Sequence, residues 1–147
     1  MTASAHQELP AFYYGRTQDQ WEQMLAVVED FLIEMAEIED QTNYSEVNAR
    51  LLQEGLPGFK FFLDSERAAI GSLLGQISER SYVADGILLT VLVIHHDTPN
   101  DIGGGFWRLA AKYGMVPPKP NDHQKLDALV DLTTAVYARH SIMKRRH

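Results

Sequence analysis

At 147 residues with 45% apolar side chains, the chain is long enough to bury one self-sufficient core, and a single domain is predicted. The absence of cysteine excludes disulfides, thiolate metal sites and cysteine nucleophiles, and it matches usage in a reducing compartment, so a cytoplasmic location is expected. The net charge of −7 is unevenly placed: residues 1–60 carry three basic side chains against eleven carboxylates, whereas residues 61–147 carry ten against nine, so any contact with a phosphate backbone would fall to the second part.

Residues 1–16 hold Pro10 and the aromatics Phe12, Tyr13 and Tyr14 without a helical period, which predicts an extended arm with its aromatics laid on the body of the protein. The N-terminus has no basic region followed by an apolar stretch, and no apolar run is long enough to span a bilayer. Neither export nor a membrane partner is therefore expected. The globular domain is expected over residues 17–143, with 144–147 as a basic tail.

Thr17 is placed to cap a helix in which Trp21, Met24, Val28, Phe31, Met35 and Ile38 recur at steps of three and four, with Leu25 and Leu32 widening the stripe. The other face carries Glu22, Glu29, Asp30, Glu37 and Asp40, either a solvated face or a surface for a basic partner. Asn43 or Ser45 can cap a short helix through Val47, Leu51 and Leu52 that ends at Gly55, followed by a turn at Leu56-Pro57-Gly58. After the aromatic stretch 59–63, Asp64 or Ser65 is expected to cap a longer helix with Ala69, Ile70, Leu73, Leu74 and Ile77 inward. Gly71 and Gly75 lie one turn apart on it, and their cost to the helix suggests close approach of another backbone.

The run Ile87-Leu88-Leu89-Thr90-Val91-Leu92-Val93-Ile94 is apolar at nearly every position and reads as a central strand covered on both faces. It empties into His95-His96-Asp97 and Gly103-Gly104-Gly105-Phe106-Trp107, polar and flexible residues held at the edge of a core. A short helix from Phe106 to Tyr113 stops at Gly114, and Pro117-Pro118-Lys119-Pro120 is a stiff connection that no helix crosses. The last helix starts at Asn121 or Asp122, with Leu126, Leu129, Val130, Thr133, Val136 and Tyr137 as its stripe. Lys144, Arg145 and Arg146 complement the negative end of that helix.

His95, His96, Asp97 and Asp101 are the candidate catalytic residues, because imidazole beside carboxylate transfers protons near neutral pH. His95, His96, Asp97 and His123 have the donor types of a divalent metal site, although adjacent strand residues point to opposite faces. No cofactor is predicted beyond that divalent metal. Gly103, Gly104 and Gly105, with Phe106, Trp107 and Arg108, form a candidate binding turn whose backbone N–H groups suit an anion, without matching a P-loop or a dinucleotide fingerprint. No nucleophile stands in a recognisable setting. The stripe from Trp21 to Ile38 would pair two chains in a homodimer or, within one chain, meet the stripe of the last helix.

The order short helix (44–54), longer helix (65–80), strand (87–94) and glycine turn resembles a winged-helix layout. Asn43-Tyr44-Ser45-Glu46-Val47, Arg67-Ala68-Ala69-Ile70-Gly71-Ser72-Leu73-Leu74-Gly75 and Gly103-Gly104-Gly105-Phe106 are similar to the winged-helix domain of alkylguanine-DNA alkyltransferases and alkyltransferase-like proteins. The chain departs from the former by having no cysteine to accept an alkyl group and no Pro-Cys-His-Arg-Val run. The segment 88–109 also resembles small uncharacterised bacterial proteins. These resemblances imply a mostly α (α+β) fold: a winged-helix-like core with a small β-sheet, flanked by a long N-terminal and a C-terminal helix. The leading expectation is a non-catalytic regulatory or interaction module that binds a protein partner through the acidic first part or the aromatic arm. A DNA-binding protein using Arg67, Arg80, Arg108, Lys112 and the basic tail is the first alternative, and a metal-dependent hydrolase or nuclease at His95-His96-Asp97 is the second.

Overall fold

The computed structural model describes residues 13–94 and 104–143. Along them run α1 (Gln18–Glu37), β1 (Thr42–Asn43), α2 (Tyr44–Gln53), α3 (Asp64–Asp85), a 3₁₀ turn (Leu89–Leu92), β2 (Val93–Ile94), α4 (Gly104–Lys112) and α5 (Asp122–His140). The fold is mostly helical with a small two-stranded sheet, as the patterning predicts.

Local chemistry sets most boundaries. Thr17 and Gln20 form a capping box at the start of α1, and Asn121 and Gln124 form another at the start of α5. Asn43 caps α2 by accepting from the Glu46 N–H. Gly55 ends α2 and Gly114 ends α4 in the left-handed region (φ 75° in each), with the paired backbone bonds of a Schellman motif behind them. The helix α1 closes in the same way without a glycine: Glu39 takes φ 55°, and its carboxylate accepts from the Ser141 hydroxyl at 2.7 Å, joining the ends of α1 and α5. At α3 the cap expected from Asp64 or Ser65 is absent; both lie inside the helix, Leu63 precedes it with no capping side chain, and α3 continues past Arg80 to Asp85, where Gly86 turns left-handed.

The largest departure from the sequence reading is the run 87–94. It is buried from Ile87 to Val93, as expected, but only Val93 and Ile94 are strand, paired in parallel with Thr42 and Asn43. The rest coils into the 3₁₀ turn because α3 satisfies its backbone. Ser81 Oγ donates to the Ile87 carbonyl at 2.8 Å and accepts the Leu89 N–H at 3.1 Å. Ser78 Oγ accepts the Thr90 N–H at 3.2 Å and shares a 2.5 Å hydrogen bond with the Thr90 hydroxyl. Buried backbone groups need partners, and here hydroxyls one helical turn apart take the place of a neighbouring strand.

Around this run α1, α3 and α5 close the core. Trp21, Met24, Leu25, Val28 and Leu32 of α1 and Ile70, Leu73 and Ile77 of α3 are fully buried. The α5 stripe is rotated from the predicted one: Ala128, Leu129, Leu132 and Val136 face inward, whereas Leu126 and Val130 are exposed. Ile38, at the foot of the α1 stripe, is likewise exposed, and Met35 is half-buried. The α1 and α5 stripes do meet within the chain.

A second anchor is polar. Arg16, 7% exposed, donates to the Tyr14 carbonyl (2.7 Å), the Gly58 carbonyl (2.7 Å) and both carboxylate oxygens of Glu66 (2.7 and 2.8 Å), tying the segment before α1 to the start of α3. Tyr13 and Tyr14 lie over Trp21 with ring centroids 6.0 and 5.9 Å away, so these two aromatics rest on the body as expected, through a turn rather than an extended segment. Phe12 lies outside the described residues.

Two outcomes follow for stability. Ser81→Ala strands the Leu89 N–H and the Ile87 carbonyl in the core, so urea unfolding should show a loss of about 2–3 kcal/mol. The hydrogen bonds from Arg16, aided by the Lys60 backbone N–H, hold the Glu66 carboxyl below its ordinary value of 4.5. Its contribution is therefore complete above that value and is lost as the pH falls through the lower, folded-state one. Glu66→Gln should be less stable than wild type at neutral pH, and the gap should narrow at successive steps below 4.5; a gap independent of pH would contradict this role.

Candidate functional site

The site grows from the end of the buried run, where β1, β2, α3 and α4 converge. Parallel pairing of Asn43 with Ile94 sets Tyr44, the first residue of α2, beside the end of β2. Farther along, α4 lies against α3. Tyr113, just past the end of α4, stacks on Tyr82 at 3.7 Å between centroids, and Lys112 Nζ reaches Glu79 Oε2 at 3.4 Å. Gly105 and Leu109 lie opposite Gly71 and Gly75. Large rings thus fill the α3–α4 contact at one end and glycines line it at the other.

Between the glycines is a cavity of about 100 Å³. Its walls are Gly71, Leu74 and Gly75 of α3, Gly105, Phe106 and Leu109 of α4, Thr90 and Val93 of the buried run, and Tyr44. Leu74, Thr90, Val93 and Phe106 are buried, whereas Gly71 and Gly105 are exposed, so the cavity opens to solvent between these two. The close backbone approach predicted at Gly71 and Gly75 does not occur: a Cβ at either would meet no atom within 4 Å. Two glycines inside a helix cost about 1 kcal/mol each relative to alanine, and what they leave in return is space. Burial pushes the Tyr44 phenol above its ordinary value.

Sharing Gly75, Gly105 and Leu109 with this cavity is an open groove of about 340 Å³, completed by Ser72, Gln76, Glu79, Arg108 and Lys112. Glu79 is occupied by Lys112. The exposed Arg108 guanidinium has neither an ion pair nor a hydrogen bond among the described residues, so the groove keeps one uncompensated positive charge.

Of the predicted binding residues, Gly105, Phe106 and Arg108 come together here, Gly105 and Phe106 on the cavity and Gly105 and Arg108 on the groove. Gly104 begins α4. Trp107 faces elsewhere: it is buried, packs edge-on against Phe106 at 5.2 Å, has Lys125 Nζ 5.8 Å from its ring centre, and its Nε1 has no hydrogen-bond partner among the described residues. His95, His96, Asp97, Asp101 and Gly103 lie outside the described residues. His123 is exposed on α5 and pairs with Asp127 one turn on at 3.3 Å. Among the described residues no three histidine or carboxylate side chains converge on a point where a metal ion would sit.

Several predicted DNA-contacting cations are engaged internally: Arg67 with Asp64, Arg80 with Glu22 at 3.3 Å, and Lys112 with Glu79. Lys144, Arg145 and Arg146 lie outside the described residues. No helix among those described is long and apolar enough to cross a membrane. Tyr44, Gly71, Leu74, Gly75, Thr90, Val93 and Leu109 were not among the predicted site residues. The pair Gly71/Gly75 was their one signal in the sequence, and it points to open volume rather than to close packing.

Comparison with protein-family models, with curated proteins and with solved structures returns no match.

Because each added methyl has room and restores helix propensity, Gly71→Ala and Gly75→Ala should each raise stability by about 0.5–1 kcal/mol, a few degrees in Tm by calorimetry. A loss of stability would mean that the open volume is not available to a side chain.

Proposed function

We propose that this chain is a non-catalytic interaction module that docks a protein partner through the loop between α2 and α3. One observation carries the reading: Phe62 is 77% exposed, and Leu63 beside it 42%, on a loop that is otherwise tied down. Asn48 Oδ1 accepts the Phe59 N–H at 2.6 Å, and Gly58 passes so near that a Cβ there would sit 2.5 Å from the same oxygen. Arg16 and Glu66 hold Gly58 and Lys60, and Arg67 donates to the Phe61 carbonyl. Phe59 is buried beneath the Arg16 guanidinium, 4.8 Å from its ring centre, and Phe61 is half-buried against Phe59 and Tyr44. Phe62 alone among these rings is turned outward, on a backbone that has already lost its freedom.

A pre-ordered aromatic is an economical anchor, since docking it into a pocket orders little further chain. Charge indicates the partner's character. Residues 1–60 are strongly acidic, and Glu29, Asp30 and Glu37 on the outer side of α1 form no ion pair among the described residues. The fitting partner is a basic protein with an apolar pocket for Phe62.

Phe62→Ala removes the anchor but no buried contact. Its urea midpoint should match wild type to within about 0.5 kcal/mol. Proteins retained by the wild-type chain on an affinity column and identified by mass spectrometry should bind the variant more weakly by about 2 kcal/mol, roughly thirtyfold. Retention of every partner at unchanged affinity would rule out this surface.

A further inference from the structure

We propose, independently of the Phe62 surface, that the cavity between α3 and α4 is a binding site for a small organic anion: a carboxylate with a compact apolar tail. The tail enters between Gly71 and Gly105 and rests on Leu74, Val93, Phe106 and Leu109, while the carboxylate stays in the adjoining groove on Arg108.

Three features select this class. The first is volume: an apolar cavity of about 150 Å³ takes a benzene molecule, so the roughly 100 Å³ here limits the tail to one aromatic ring at most, with part of that ring left at the mouth. The second is the lining. Leu74, Val93, Phe106 and Leu109 offer apolar surface, and the Thr90 hydroxyl at the wall is already engaged by Ser78, which favours an apolar occupant over a hydrogen-bonding one. Charge is the third. Leu109 and Gly105 belong to both spaces, so a molecule seated in the cavity emerges beside Arg108, whose planar fork of donors suits a carboxylate; Lys112 and Glu79 offset each other as an ion pair, so among the described residues Arg108 sets the charge of the groove. Both α3 glycines are in place at a cost to their own helix, and each leaves unfilled the volume the tail would occupy.

The test is a titration of the whole chain, followed by amide NMR shifts, with phenylacetate, with toluene as the tail alone and with acetate as the head alone. Phenylacetate should bind with a Kd of about 1 mM or tighter and move the signals of Gly75, Gly105, Phe106 and Leu109. Toluene should move the same signals with an affinity about tenfold lower, and acetate should not saturate. Arg108→Ala should bring phenylacetate down to the toluene affinity, and Gly75→Leu, which fills the cavity, should abolish both. Should Gly75→Leu fail to fold, the double variant Gly71→Ala/Gly75→Ala narrows the same space by two methyl groups and must weaken both ligands. Absence of saturable phenylacetate binding, or binding indifferent to the cavity-filling variants, overturns the site; equal affinity for toluene and phenylacetate overturns the anionic class.

Discussion

The fold depends on how the backbone of a buried apolar run finds its hydrogen bonds. Ile87, Leu88, Leu89, Thr90, Val91, Leu92 and Val93 are nearly removed from water, so each N–H and carbonyl left unpaired would carry a desolvation cost comparable to a whole hydrogen bond. A wide sheet would satisfy them, but among the described residues the strand pairing is two residues long. Ser78 and Ser81 do the work instead, from the face of α3 that the run covers. Because the hydroxyls are on a helix, the run must follow the helix surface, and a 3₁₀ turn is the shape that lets Leu89 and Thr90 reach them. That path delivers Thr90 and Val93 to the floor of the α3–α4 cavity and releases the chain into β2 beside Asn43 and Tyr44.

Electrostatics divides the surface in a way that net charge does not reveal. Arg50 is spent on Glu34, Arg80 on Glu22, Arg67 on Asp64 and Arg139 on Asp85, exposed pairs whose individual worth is small but which mask positive charge. Among the described residues, Glu29, Asp30 and Glu37 of α1 form no ion pair, and at a different place neither does the guanidinium of Arg108. The buried pair Arg16–Glu66 belongs to another class: its four hydrogen bonds from one guanidinium fix two backbone carbonyls and a carboxylate, so it orders the loop that presents Phe62.

Legibility followed physical locality. Caps and stops were readable because their cause sits within four residues: Thr17 with Gln20, Asn43 with Glu46, Asn121 with Gln124, and the glycines at 55 and 114. The end of α1 was not, since Glu39 adopts a glycine-like conformation while its side chain is held by Ser141, a hundred residues away. Continuous apolarity at 87–94 correctly signalled burial, yet burial does not distinguish a strand from a turn; the deciding serines belong to another helix. For the site, Gly105, Phe106 and Arg108 were legible as members of the predicted binding turn, although from Gly104 onward that stretch is the helix α4. Their partners Gly71 and Gly75 were visible as an anomaly whose sign was misjudged, because a glycine pair reads the same whether the missing Cβ admits a backbone or leaves a void.

The three features that give this molecule a surface chemistry share one helix. At its first turn α3 supplies Glu66 to the clasp beneath the Phe62 loop; in its middle Gly71 and Gly75 open the cavity; beyond them Ser78 and Ser81 hold the buried run while Glu79 and Tyr82 meet Lys112 and Tyr113. These duties fall at successive turns of the helix, and the cavity and the buried run share Thr90, which Ser78 holds. The helix itself tolerates two interior glycines because buried residues precede, separate and follow them, Ile70 before, Leu73 and Leu74 between, and Ile77, Ser78 and Ser81 beyond, all within the core. Tertiary packing rather than propensity holds α3 through the glycine turn, and that surplus is what allows an open volume to persist in the middle of a folded helix.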